Sequence, residues 1–187
     1  MQMLKKILPA FFFILPLTTL AQGDEFIRWS AVKRLTWNDY LATPSTSNDI
    51  AAITSTALGM EYHVRNNSIT YNISCRFSKI KSWGRYKTDY ILQHEQGHFD
   101  ITEIFARRLV KAVREYKFDP KKYQDDLSKM YKKIMEEKEE FQQKYDEETD
   151  FSRNKVKQAE WLKRILQELE DLEEYAEDTD IVIRSNT

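Results

Sequence analysis

Glycine and proline are scarce, four of each in 187 residues, which excludes collagen-like repeats and low-complexity linkers. Cysteine is scarcer still. The lone Cys75 has no internal disulfide partner, so an exported form of this chain must rely on packing alone. Neither charge sign is in excess: Lys and Arg number 29 against 30 Asp and Glu. Removing an N-terminal leader that carries Lys5 and Lys6 leaves 27 basic residues and a net charge of −3, a balance that gives no reason to expect a nucleic-acid partner. Beyond residue 20 no apolar run approaches the roughly 20 residues a membrane-spanning helix needs. What the chain does have is aromatic surface. Ten Tyr, ten Phe and four Trp supply enough apolar area for a core despite 32% charged residues, which argues against wholesale disorder.

The first 21 residues read as a signal peptide: a charged start at Lys5 and Lys6, an apolar run from Ile7 to Leu20, and Thr19-Leu20-Ala21 as a small-residue cleavage site. About 14 apolar positions are too few to span a bilayer comfortably. The expectation is export to the periplasm or the medium, leaving a mature chain of residues 22–187 that forms a single domain and has no membrane span.

Ile27 to Tyr40 is an aromatic-rich segment, followed by a polar stretch from Thr43 to Asp49 that reads as a loop. Thr54, Thr56, Leu58, Met60, Tyr62 and Val64 then alternate with small or polar residues. Ile69, Tyr71, Ile73, Cys75 and Phe77 do the same after Arg65-Asn66-Asn67-Ser68, a plausible turn. The two runs predict an antiparallel hairpin. Cys75 falls on its apolar face and reads as a buried structural thiol, whereas His63 shares the opposite face with Glu61 and is expected to face solvent. Past Ser82-Trp83-Gly84 the period becomes helical, from Ile91 to about Tyr116, with a cap near Thr88 or Asp89. Gly97 within that helix costs about 1 kcal/mol relative to Ala, which suggests that something approaches closely there. After Asp119-Pro120, one apolar stripe runs from Leu127 to Tyr145 and another from Trp161 to Ala176, and Asp146 to Ser152 breaks the pattern between them. Residues 118–187 are therefore expected to be helical.

His94-Glu95-Gln96-Gly97-His98 fits H-E-x-x-H and lies inside the segment independently read as helix. Residues four apart sit about 40° apart around a helix axis and about 6 Å apart along it, so both imidazoles can converge on one ion. Zinc in catalytic sites has three protein ligands and an open position for water. Glu95 is turned away from both histidines and can reach that water as a general base, which points to hydrolysis of a peptide bond. The alternative at this point is an ordinary helix with two surface histidines. Further along the helix, Glu103 is about 180° from His94 and Asp100 about 120°, so neither can share an ion with both histidines. Glu103 is expected to pair with Arg107 at i+4, and Asp100 to support a neighbouring loop.

The run Ile91-Leu92-Gln93-His94-Glu95-Gln96-Gly97-His98-Phe99-Asp100-Ile101-Thr102-Glu103 resembles a family of exported bacterial proteins described as secreted zinc-dependent proteases. Trp37-Asn38-Asp39-Tyr40, Ser82-Trp83 and Tyr145-Asp146-x-x-Thr149 resemble that family's other landmarks, so the likeness covers most of the mature chain. It implies one bound zinc, a protein or peptide substrate and proteolytic activity. The family usually has His two places after that last motif, where this chain has Phe151, and Phe cannot bind metal. Asp146 is then the leading candidate for a third ligand, with Asp150 and Glu147 behind it. Tyr145 either stabilises an oxyanion or packs in the core, as its stripe position favours.

Together these readings predict an α+β domain of zincin-like type, a small antiparallel sheet on an H-E-x-x-H helix with a helical C-terminal half. The expected function is a secreted zinc metallopeptidase in which His94, His98 and Asp146 hold the ion and Glu95 activates zinc-bound water. Cleft walls are expected from the hairpin edge and the chain near Asp146. The rival reading is a catalytically silent metal- or partner-binding module that lost a ligand at Phe151; a third is a helical envelope adaptor working through its charged C-terminal faces.

Overall fold

The computed structural model describes residues 25–44, 49–65 and 68–176, and the backbone of 181–184. The leader at 1–21 and the Asn66-Asn67 turn lie outside the described residues. In chain order the elements are β1 (Phe26–Arg28), β2 (Ala52–Ile53), β3 (Thr56–Arg65), β4 (Ser68–Ser78), β5 (Trp83–Gly84), α1 (Asp89–Glu115), α2 (Tyr123–Thr149), α3 (Lys155–Asp171) and β6 (Ile181–Arg184). Single 3-10 turns occur at Trp37–Asp39 and Glu173–Tyr175. The class is α+β: a small antiparallel sheet with three helices among the described residues.

β3 and β4 form the expected hairpin, in a register that sets Leu58 opposite Cys75, Met60 opposite Ile73 and Tyr62 opposite Tyr71. Successive side chains on a strand point to opposite faces, so Ile69, Tyr71, Ile73, Cys75 and Phe77 share one face, and all five are buried. His63, opposite Thr70, is exposed. β4 also pairs with β1 and β6, which leaves β3 as an edge strand among the described residues. β2 and β5 make a separate two-stranded ladder.

α1 lies between this sheet and the α2–α3 pair. The Thr88 hydroxyl accepts the Ile91 N–H at 3.2 Å and satisfies one of the donors at the start of α1. The helix is buried on nearly every side from Phe99 to Val113: Phe99 meets Phe77 across the sheet interface, and Phe105 meets Phe141 of α2. Each large apolar side chain removed from water here contributes about 1.5–3 kcal/mol. Cys75 is a free, buried thiol whose burial pushes its pKa well above the usual range. One buried charged pair ties the helices together. Arg107 donates to Glu103 at 3.0 Å and to the Leu169 carbonyl at 2.6 Å, fastening α1 to the end of α3.

Three sequence expectations change. The region after 118 is not wholly helical, because Ile181–Arg184 returns as a strand and pairs with Ser68–Tyr71. The aromatic segment contributes β1, and the residues before the hairpin contribute β2; both are too short to show a period. Most relevant to the site, the interruption between the last two helices begins at Asp150 and not at Asp146. α2 continues through Thr149, and Asp150, Phe151 and Ser152 then take positive φ in succession, at 49°, 50° and 70°.

Candidate metal centre

Two helices build the site. α1 supplies His94, Glu95 and His98, and the last turns of α2 supply Gln142, Tyr145 and Asp146. The imidazoles four residues apart turn toward each other, with His94 Nε2 3.3 Å from His98 Nε2. Asp146 Oδ1 lies 3.1 Å from each of those nitrogens. The loop expected at Asp146 is instead the last turn of α2, and from that helix Asp146 meets both histidines.

Whether this triangle suits a metal follows from its edges. A tetrahedral ion with ligand bonds of about 2.0–2.1 Å needs its donor atoms about 3.3–3.4 Å apart. The observed edges of 3.1, 3.1 and 3.3 Å fall close to that spacing. Two nitrogens and one carboxylate oxygen are also a donor set that zinc accepts. These three are the acidic or imidazole side chains that converge in this way among the described residues.

The environment prepares these donors. Gln142 Nε2 donates to the His98 carbonyl at 2.9 Å, which turns its Oε1 toward His98 Nδ1. Nδ1 must then be the protonated nitrogen of neutral His98, leaving the Nε2 lone pair directed at the triangle. Burial pulls His94 below its ordinary pKa, against the pull of Asp146. Burial opposes charge on His98 too, but there the hydrogen bond and charge of Asp146, backed by Glu95, push it up to about 9. Burial alone would raise Asp146, yet the two imidazoles hold its carboxyl far below the ordinary range.

Tyr145 packs flat against His94, with ring centroids 4.5 Å apart and an interplanar angle of 17°, and its hydroxyl donates to the His94 carbonyl at 3.2 Å. It is fully buried, so it braces the His94 ring and has no exposed phenol to offer an oxyanion. Its hydroxyl also explains Gly97, where an added Cβ would come within 2.5 Å of it. Gly97→Ala is expected to cost about 1–2 kcal/mol net in urea denaturation, since Tyr145 cannot retreat and the overpacking outweighs the gain in helix propensity. The affinity of the triangle for a divalent cation should fall with it, because the same contact orients His94.

Behind the motif, Asp100 accepts from Trp29 Nε1 at 2.8 Å, Arg34 Nη2 at 2.6 Å and Gln96 Nε2 at 2.9 Å. It anchors the aromatic segment to α1, as a supporting residue would. Glu147 and Asp150 stay outside the triangle: Glu147 is exposed and accepts from Gln143, while Asp150 caps α2 and pairs with Arg153 at 2.7 Å. Gln142 was missed by sequence reasoning, although its place four residues before Asp146 on one helix face was a readable signal.

The triangle sits in a cleft of about 1180 Å³. Glu95, 4% exposed, lines it beside the histidines. One wall is the stretch 49–56, comprising β2 and the approach to β3; the other is the end of α2 with residues 151–153. Phe151, 57% exposed, belongs to that rim.

A family profile described as a bacterial protein of unknown function, DUF922, matches residues 31–153. The chain belongs to the DUF922 family. The DUF922 segment takes in the hairpin, α1 and all of α2, so every residue of the triangle and both cleft walls fall within it, and it stops just before α3. No curated protein and no solved structure gave a match. Among the described residues no helix is long and apolar enough to cross a membrane.

Proposed function

We propose that this protein is a secreted, zincin-like zinc metallopeptidase that cleaves peptide bonds. The observation that carries the proposal is the His94, His98 and Asp146 triangle, with zinc-compatible edges, on the floor of an open cleft with a buried carboxylate next to it. Zinc held by these three residues would supply Lewis acidity to a substrate carbonyl and lower the pKa of water to about 7. The chain's own part is division of labour. Glu95 accepts the proton of the attacking water on its carboxylate and returns it to the departing amine, a general base followed by a general acid. Gln142 fixes the tautomer of His98, and Tyr145 fixes the ring of His94, so neither donor reorients during turnover.

The stretch 49–56 runs along the cleft beside α1, where an extended polypeptide can align with its backbone groups. The Lys5-Lys6 start and apolar run to Leu20 support export. The test is metal analysis and proteolysis on one preparation. The purified mature chain is expected to contain one zinc and to cleave an unfolded protein such as casein. Cleavage should be lost with 1,10-phenanthroline and return on addition of zinc. Metal far below one per chain, or cleavage indifferent to the chelator, overturns the proposal.

A further inference from the structure

α2 carries a stripe of three polar residues toward the cleft: Lys138, Gln142 and Asp146, spaced i, i+4 and i+8. Asp146 and Gln142 belong to the metal triangle and its support. Lys138 does not. Its side chain is only 10% exposed, it lines the cleft, and it makes no hydrogen bond to the described residues. The anion it meets is Glu139 Oε2 at 3.8 Å, on a side chain 77% exposed, and such a pair is worth little. The stem is packed away while the ammonium opens onto the cleft, so a carboxylate of a bound ligand can reach it there and form a charge-assisted hydrogen bond.

We propose that Lys138 is a specificity-determining residue that binds a carboxylate of the peptide substrate. The inference deepens the peptidase reading and rests on it for the nature of the ligand. Eight helical residues separate Lys138 from Asp146, about 12 Å along the axis. An extended chain advances about 3.3 Å per residue, so the recognised carboxylate lies three or four residues from the bond over the metal triangle. It is either an acidic side chain or the peptide's C-terminal carboxylate. The rest of the cleft sharpens the register, because Asp49 and Glu147 also line it and repel a carboxylate placed beside them, while the exposed Glu139 can swing away from Lys138.

Binding, not turnover, tests this. Fluorescein-labelled Ala/Leu decapeptides carrying one Glu at successive positions are compared with their Gln twins, each as free acid and as amide. Anisotropy is read on the zinc-loaded chain made inactive by Glu95→Gln. At one register an amidated Glu peptide is expected to bind about tenfold tighter than its Gln twin if the side chain is recognised. If the terminus is recognised, the free acid should exceed the amide by a similar factor. Lys138→Met should erase the preference and leave the neutral peptide's affinity unchanged, and Lys138→Arg should retain it. No preference at any register in the Lys138 chain overturns the proposal without any variant at that position, and a preference that survives Lys138→Met or Lys138→Gln does so as well. Absence of cleavage in the chain with Glu95 intact would instead count against the peptidase reading, and it leaves this comparison readable.

Discussion

Exchanging Glu95 for Gln is expected to lower kcat/KM for a protein substrate by about a thousandfold or more while zinc content stays at one per chain. The amide keeps the shape of the carboxylate, and Glu95 is not one of the three converging donors, so nothing that holds the ion is removed. What disappears is the ability to take a proton. General-base contributions of this kind are worth roughly 10²–10⁴ in rate, and in the proposed mechanism the same group would also return the proton to the amine, so both transfers would fail together. The loss should appear in kcat, with KM little changed, because the cleft walls are untouched. Activity within tenfold of the unaltered chain, at equal zinc content, would show that the base lies elsewhere. Loss of zinc would show that Glu95 belongs to the ligand set.

Some of this site could be read before any coordinates because its spacing is covalent. His94 and His98 must share a helix face once the segment is helical, and Ile91 to Tyr116 carried an unambiguous helical period. The hairpin was legible for the same reason, since period-two alternation over ten residues leaves little freedom. Gly97 announced a close approach, and Tyr145 is what approaches. The short strands were not legible. β1, β2 and β6 have two to four residues each, and they exist because β4 and β5 offer them edges, a property of distant sequence.

The end of α2 was misread for a different reason. Asp146-Glu147-Glu148-Thr149 is polar enough to resemble a loop, yet no glycine or proline interrupts it. The true boundary is conformational: the Asp150 and Phe151 amides close back onto Glu147 and Asp146 at 3.2 and 2.9 Å, with three residues in succession at positive φ. Asp and Ser are tolerable there, but Phe has no intrinsic preference for that region. The position therefore gave no signal in composition. The consequence for the site is concrete, since a helical Asp146 has a fixed direction and a loop aspartate would not.

That fixed direction makes Asp146→Ala the second large effect. Removing one of three donors should weaken zinc binding by at least about a hundredfold, more than the 10–100-fold typical of losing a supporting residue. A chelator competition on purified chains measures it. Asp146→Asn, which retains an oxygen donor but no charge, should fall between the two. Glu147→Ala and Asp150→Ala should bind zinc as the unaltered chain does, because Glu147 engages Gln143 and Asp150 engages Arg153. The comparison separates a ligand from a mere concentration of negative charge near the ion. All three residues are acidic and lie within five positions of one another, so a field effect would weaken binding by similar amounts in each alanine variant, whereas coordination singles out Asp146. Equal affinities for Asp146→Ala and the unaltered chain would leave two imidazoles as the protein's whole contribution. The 3.1 Å contacts from Asp146 would then be hydrogen bonds to a protonated pair and nothing more.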